Sequence, residues 1–304
     1  MRKTWVVCLL AMVCCALWGS AFPCIKVGYC LFQIDSVDTA TQILFAGCRF
    51  TIAGIMVILF GSILQGRFLK AGKGDLPRIG KICLLQTVIQ YFFFYVGLAN
   101  TTGVKASIIE GVNVFVAVLV ASLLFQQEKL TGKKIVGCLI GFAGVVIVNL
   151  GGSMDMGFRL TGEGFIFLST VAYAFSSVFL KRYSKDENPV LLSGYQFITG
   201  GIIMCVIGLL MGGKVHGFAA TSTGMLVYLA VVSAVAYSLW GILLKYNPVS
   251  KVAVFGFMNP VFGVILSALL LGEGAQAAGV KSLIALLLVS IGIYVVNKKE
   301  GDSV

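Results

Sequence analysis

The sequence predicts an all-α integral membrane protein with ten transmembrane helices, arranged as two inverted repeats of five helices. Composition is the first observation behind this prediction, because 59% of the 304 residues are hydrophobic and only 12% are charged. Soluble domains carry about 25% charged residues, since they need a hydrated surface. With half that share and a mean hydropathy of +0.99, this chain requires a lipid bilayer around it.

The lengths of the apolar runs are the second observation. A helix needs about 20 mostly apolar residues to cross the hydrocarbon core, whereas strands of a transmembrane β-barrel alternate over about 10 residues. The first run follows the letters MRK as in a signal peptide, but it lacks a small-residue cleavage site and is interpreted as an uncleaved helix. The predicted spans are residues 4–25, 38–64, 79–100, 103–125, 133–151, 162–181, 190–211, 222–245, 250–271 and 277–297.

An internal repeat is the third observation. Shifting the chain so that Tyr91 meets Tyr237 also brings Asn113 onto Asn259, and AGCRFTIAG (46–54) resembles SGYQFITGG (193–201). The predicted repeats are residues 1–151 and 152–304, and an odd number of helices in each inverts the second relative to the first. Inverted repeats are a transporter architecture, with the substrate site near the midplane where the halves meet.

The basic residues predict the orientation. If the N-terminus is inside, most of the 23 Lys and Arg residues fall into connections on the inner side. The positive-inside rule then places both termini in the cytoplasm of a multi-pass protein of the cell (inner) membrane. The net charge of +11 comes from these connections and not from a basic domain, so nucleic acid is not an expected partner.

Four stretches of the sequence are distinctive: ALWGSAFPCIK (16–26), GCRF (47–50), VASLLFQQEKLTGKKIVGCLIGFAGVVIVN (120–149) and MNPVFGVILSALLLGE (258–273). These stretches resemble the EamA-type carriers of the drug/metabolite transporter superfamily. The resemblance covers nearly the whole chain and implies a secondary carrier of small metabolites such as amino acids or amines, often an exporter. Glu110 stands where such carriers more often have a small or apolar residue.

Glu110 is the most unusual residue of the fourth predicted span. At 100° per residue it shares one face with Asn113 and several small residues, while bulky apolar residues occupy the opposite face. A charge at membrane depth costs at least about 2.5–3.5 kcal/mol unless it is paired, protonated or hydrated. Two interpretations stay open: a site for a substrate ammonium or a proton facing a cavity, or an ion pair with Arg49 or Lys105.

Three further residues are interpreted as gating or structural. Arg49 is a second charge inside a predicted span, and the resemblance implies an Arg at this place generally. Pro23 and Pro260 lie inside spans, where proline removes a backbone donor and kinks a helix.

Polar and aromatic residues at a similar level complete the predicted substrate site. Aromatic faces can hold a cation, with about 0.5–2 kcal/mol for each contact, and the glutamine amides can bond a polar ligand. Packing and interfacial belts are the alternative for any single aromatic residue. Besides Glu110 and Asn113, the predicted substrate-binding residues are Trp18, Gln86, Gln90, Tyr91, Tyr173, Tyr237, Trp240 and Asn259.

These observations favour a secondary transporter with protons as a candidate coupling ion through Glu110, as a monomer or homodimer. A membrane-embedded enzyme acting on lipid or isoprenoid substrates is the alternative, but the sequence offers no catalytic cluster for one. A passive receptor or structural protein stays open. Neither a metal nor a cofactor is expected, because the nine cysteines form no C-x-x-C pair and the single histidine, His216, lies in a connection.

Overall fold

The computed structural model describes residues 3–35, 37–101, 103–149, 158–271 and 280–298. Every regular element in these residues is helical. The first five helical segments are α1 (Thr4–Leu31), α2 (Thr39–Gln65), α3 (Leu76–Ala99), α4 (Gly103–Leu119, continued by a π-helical turn, Val120–Leu124) and α5 (Gly132–Asn149). The second five are α6 (Leu160–Tyr183), α7 (Pro189–Leu210), α8 (Ala220–Tyr246), α9 (Val249–Ala253, Val254–Phe257 and Met258–Leu271) and α10 (Val280–Asn297).

The ten helical segments of the described chain agree with the ten predicted spans. By length and composition, α1, α2, α3, α6, α7 and α8 are long and apolar enough to cross a membrane, and shorter apolar helices cover 109–124, 249–263 and 283–297. The prediction was wrong at the end of the first span, because α1 continues past residue 25 to Leu31. Lys26 is exposed there, so the helix continues after the apolar run that the prediction followed has ended.

The packing of the helices has an approximate two-fold pattern. Helix α2 packs against α7, and α5 packs against α10. Helix α1 packs against α8 and α9, while α6 packs against α3 and α4. Exchanging each helix of the first five with its counterpart in the second five leaves this set of contacts unchanged, as expected of two related five-helix units.

Glycines allow a close contact between α2 and α7. A Cβ atom on Gly54 would lie 2.6 Å from the carbonyl oxygen of Gly194, and one on Gly47 would lie 2.9 Å from that of Gly201. The repeat alignment matches Gly47 with Gly194 and Gly54 with Gly201, so the two contacts are themselves related by the two-fold pattern. Small residues at crossings let membrane helices approach closely, which replaces the hydrophobic driving force that lipid removes.

The connections gather at two ends of the bundle, which we name by one residue each. At the Thr101 end, Thr101 donates to Glu163 Oε1 over 2.7 Å, and the backbone N of Lys214 donates to Thr41 Oγ1 over 3.0 Å. At the Glu128 end, Ser250 donates to Glu128. Further polar contacts at the Glu128 end join Arg78 to Glu187, Asn188 to Gln65 and Lys181 to the carbonyl of Leu244.

Candidate functional site

A cavity of about 140 Å³ with charged, polar and aromatic residues in its wall lies in the middle of the bundle, extending toward the Thr101 end. This volume holds several water molecules or a small solute, since about 10–15 Å³ measured in this way accommodates one water. Both halves of the chain contribute to its wall. Its lining residues are Trp18, Ala21, Ile25, Arg49, Gln90, Tyr91, Phe94, Tyr95, Glu110, Gly111, Asn113, Val114, Ser169, Thr170, Tyr173, Tyr237, Gly256, Asn259 and Pro260.

Most of the predicted substrate-binding residues line this cavity. Trp240 instead lines a second void of about 10 Å³, which shares Trp18, Asn113 and Asn259 with the cavity. Gln86 and Pro23 are buried and lie in neither lining. The predicted residues that do line the cavity are Trp18, Gln90, Tyr91, Glu110, Asn113, Tyr173, Tyr237 and Asn259, together with Arg49 and Pro260.

The two predicted glutamines of α3 differ in their surroundings. Gln90 lines the cavity, whereas Gln86 is 1% exposed and lines neither the cavity nor the second void. Residues Cys83–Ile89, which include Gln86, form a π-helical stretch of α3, in which hydrogen bonds run from i to i+5.

Glu110 lines the cavity without a protein partner among the described residues. Its carboxylate has no hydrogen bond and no ion pair with any of them. The side chain of Lys105, one of the two partners inferred from the sequence, lies outside the described residues. The other, Arg49, donates from Nε and Nη2 to Ser233 Oγ over 3.1 and 2.9 Å.

The contact of Arg49 has a counterpart in the second half of the chain. The repeat alignment matches Arg49 with Gln196, and Gln196 Oε1 accepts from Thr87 Oγ1 over 2.6 Å. Thus α2 and its counterpart α7 each form a side-chain hydrogen bond with a hydroxyl group on a helix of the other half. That hydroxyl lies on α8 for Arg49 and on α3 for Gln196. The charge, however, is present only in the first half, because Gln196 is neutral.

The charges on the cavity wall therefore come from one half of the chain. Arg49 and Glu110 are the charged residues in the lining within the described residues, and both precede residue 151. The shift that matches Tyr91 with Tyr237 places Gly256 at the position of Glu110, and Gly256 also lines the cavity. A scaffold with two-fold packing thus carries an electrostatically asymmetric site.

Aromatic residues form one side of the site. The hydroxyl groups of Tyr91 and Tyr237, matched by the repeat, are 2.7 Å apart and share a hydrogen bond. The ring of Trp18 meets Tyr237 edge-on with a centroid distance of 5.2 Å, and it meets Trp240 at 4.9 Å. Such edge-to-face pairs fix the orientation of the rings.

Four polar atoms of the lining residues are buried without a hydrogen-bond partner in the described structure. They are Trp18 Nε1, Gln90 Oε1, Asn113 Oδ1 and Asn259 Oδ1. Buried polar atoms are normally hydrogen-bonded, either by the protein or by water or a ligand. Three of these four atoms are acceptors, and Glu110 adds a carboxylate, so most of the unpartnered polar atoms of the wall accept hydrogen bonds.

Sequence reasoning missed several residues of the wall. Ser169, Thr170 and Tyr95 line the cavity but were not singled out. Two adjacent hydroxyl residues in the sixth predicted span were an available signal. Arg49 was expected to have a gating or structural role; it bonds Ser233 and also faces the cavity, and no pattern in the sequence pointed to that partner.

Taken together, the fold and the site define a multi-pass membrane protein with a cavity between two related halves, into which two charged residues project. The sequence profile of the EamA-like transporter family matches residues 5–150 and 160–298, which is nearly the whole chain in two stretches. The chain belongs to the EamA-like transporter family. It is a membrane transporter and not an enzyme, as the sequence predicted.

Relatives of this chain carry transporter names. An "Uncharacterized transporter" of Archaeoglobus fulgidus is 27% identical over 300 residues, covering 98% of this chain and all of the relative. The "Uncharacterized inner membrane transporter YedA" of Escherichia coli is 25% identical, covering 93% of this chain and 90% of that protein. A solved crystal structure has a TM-score of 0.78 at 18% identity over 96% of each chain, a likeness in fold alone.

Proposed function

We propose that this transporter moves a small polar metabolite with an ammonium group, such as an amino acid or an amine, by alternating access. It works as an exporter or exchanger, and protons are coupled to transport through Glu110. The observation that carries the proposal is the carboxylate of Glu110, unpartnered among the described residues, in a cavity where other acceptors also lack donors. An ammonium group supplies three donors and a positive charge, which the unpartnered Glu110 carboxylate and the neighbouring acceptors can bind.

The asymmetry of the site supports a substrate with two charged ends. A carboxylate on the substrate suits the guanidinium of Arg49, which has five N–H donors and uses two nitrogens on Ser233. An ammonium suits Glu110 together with the aromatic rings, whose faces attract cations. Because both charged residues belong to the first half of the chain, a dipolar substrate would bind in one preferred orientation.

Proton coupling follows from competition for one carboxylate. A proton and a substrate ammonium each neutralise Glu110, and both cannot do so at once. Binding of substrate from one side then favours proton release, and a proton entering from the other side favours substrate release. A ligand drives a conformational change only through a difference in affinity between states, and this exchange at Glu110 would supply that difference.

We propose the topology with the same function. Both termini and the Glu128 end lie in the cytoplasm, and the second repeat, residues 152–304, is inverted relative to the first, residues 1–151. The basic residues of the described connections support this orientation, because the Glu128 end carries Arg67, Lys70, Lys73, Lys129 and Lys185, whereas the Thr101 end carries Arg159 and Lys214.

Single cysteines test this orientation in a background from which the native cysteines have been removed. Lys73→Cys and Lys214→Cys are a matched pair, since both side chains are exposed and lie at opposite ends of the bundle. In intact cells we expect a membrane-impermeant maleimide to label Lys214→Cys and to spare Lys73→Cys, whereas permeabilised cells label both. Ready labelling of Lys73→Cys from outside would overturn the topology.

Substrate binding and counterflow test the function itself. A thermal-shift panel of amino acids, amines, and acids of matched size that lack an amino group is the first step. We expect stabilisation by ammonium-bearing compounds, and proteoliposomes loaded with such a compound should accumulate its labelled form. Stabilisation without counterflow would identify a receptor instead of a carrier. A preference for acids without an amino group would contradict the proposed substrate class.

A further inference from the structure

We propose that Glu128 and Ser250 form a latch between the two halves of the transporter, which keeps the Glu128 end closed and must open for substrate to pass. Glu128 lies in the connection between α4 and α5, and Ser250 is in the first turn of α9. The contact therefore joins a connection of the first half to a helix of the second. Neither residue lines the cavity.

The contact is close and buried. Glu128 Oε1 accepts from the backbone N of Ser250 over 2.9 Å, and Oε2 accepts from Ser250 Oγ over 2.5 Å. Lys134 Nζ, from the same half as Glu128, donates to Oε2 over 2.9 Å. The side chain of Glu128 is only 7% exposed, so its charge depends on these donors, and hydrogen bonds to an ionised acceptor are about twice as strong as neutral ones.

The ion pair between the halves at this end restrains them less. Arg78 pairs with Glu187 over 2.6 Å, but the two side chains are 33% and 28% exposed. Ion pairs that water reaches contribute little, about 0–1 kcal/mol. Lys181 donates to the carbonyls of Leu244 and Asn247, and all three residues belong to the second half. The side chain of Glu128, 7% exposed, is therefore more deeply buried than either charged partner of the Arg78–Glu187 contact between the halves.

The void beneath the cavity indicates where a pathway would open. It measures about 10 Å³, just enough for one water, and its wall includes Ala117, Ser177, Leu244 and Ala253. Ala253 closes the short helical segment that carries Ser250. Moving this segment away from α4 would widen the void toward the Glu128 end.

The shape of α9 connects the latch to the cavity. The segment Val249–Ala253 is followed by a 3₁₀ turn, Val254–Phe257, before the α-helix resumes at Met258. Short 3₁₀ stretches within a helix often mark a hinge. Gly256 in that turn and Asn259 just after it both line the cavity, so a ligand bound there contacts the element that ends in the latch.

Accessibility of a reporter cysteine tests the latch without any substrate. Ser177→Cys, in a cysteine-free background, places a thiol in the void, and an impermeant maleimide is applied to membrane vesicles from the side that carries Lys73. We expect Ser250→Ala and Glu128→Gln each to raise the labelling rate about tenfold, as loss of a hydrogen bond to a charged group predicts. Ser250→Ala removes only a hydroxyl group. If Glu128→Gln folds poorly, the labelling rate of the Ser250→Ala variant alone tests the latch.

Thr101→Val is the matched control. It removes a hydroxyl-to-carboxylate bond of 2.7 Å between the halves at the opposite end, and it should not raise labelling from the Lys73 side. An unchanged rate in folded Ser250→Ala protein would overturn the latch, as would an equal rise in Thr101→Val. Because the assay measures access alone, its outcome is independent of the ammonium preference and of proton coupling.

Discussion

Replacing Glu110 with glutamine is expected to weaken binding of an ammonium-bearing substrate about 10- to 100-fold and to remove the pH dependence of transport. The substitution keeps the size of the side chain and one acceptor, but it removes the charge. A hydrogen bond to a charged group contributes about 1.5–3 kcal/mol, and each 1.4 kcal/mol corresponds to about a factor of ten in affinity. Binding is measured by thermal shift or calorimetry, and transport by counterflow at several pH values.

The pH dependence has a definite sign under this hypothesis. Protons compete with the ammonium for the carboxylate, so wild-type affinity should fall as the pH on the binding side is lowered. The Glu110→Gln variant has no carboxylate to protonate and should bind weakly at every pH. Glu110→Asp retains a charge and should keep part of the affinity and the pH dependence.

Glu187→Gln is the matched control, because it removes a carboxylate at the Glu128 end that does not line the cavity. It should bind substrate as wild type does. The hypothesis would be wrong if Glu110→Gln transported normally with an unchanged pH profile. Substitutions of Arg49 and Glu110 could each destabilise the protein while the double substitution destabilises it by less than the sum of the two effects. An ion pair between Arg49 and Glu110 would then be the right interpretation, since non-additive changes in stability reveal coupling.

The helices were predictable because a membrane imposes a strong rule on sequence. Every spanning segment must be long and apolar and must satisfy its own backbone hydrogen bonds, so run length alone located ten segments within a few residues. The end of α1 was missed, since nothing in hydropathy marks where a helix stops after it leaves the apolar layer. The π-helical stretch Cys83–Ile89 was missed for a similar reason, because the sequence analysis used no residue pattern that distinguishes it from an α-helix.

The cavity was partly predictable because it lies where the two halves meet. Residues that recur in both halves, such as Asn113 with Asn259 and Tyr91 with Tyr237, identified much of its wall. Contacts between residues far apart in sequence were not visible. The hydroxyl of Ser233 that Arg49 bonds, and the serine that Glu128 bonds, each lie more than a hundred residues away on another helix. Such partners emerge only when the helices are packed.

Replacing Gly201 with alanine is expected to destabilise the protein strongly, because it adds a methyl group where α2 and α7 are in closest contact. A Cβ atom at this position would lie 2.5 Å from the backbone N of Thr51 and 2.8 Å from the carbonyl oxygen of Gly47. These neighbours are backbone atoms of α2, so they cannot turn aside as a side chain can. Overpacking of this kind costs about 1–3 kcal/mol, and here the two helices would have to separate along the seam between the halves.

Gly224→Ala is the matched control, because a Cβ atom there would meet nothing within 4 Å. It makes the same substitution in a different helix, α8, and should leave stability unchanged or slightly higher, since alanine is the better helix former. Thermal unfolding in detergent, followed by size-exclusion chromatography, compares the two variants. We expect a lower unfolding temperature or loss of monodisperse protein only for Gly201→Ala. Equal unfolding temperatures for the two variants would mean that α2 and α7 are not held in close contact, and the two-fold packing of the halves along this seam would then have to be abandoned.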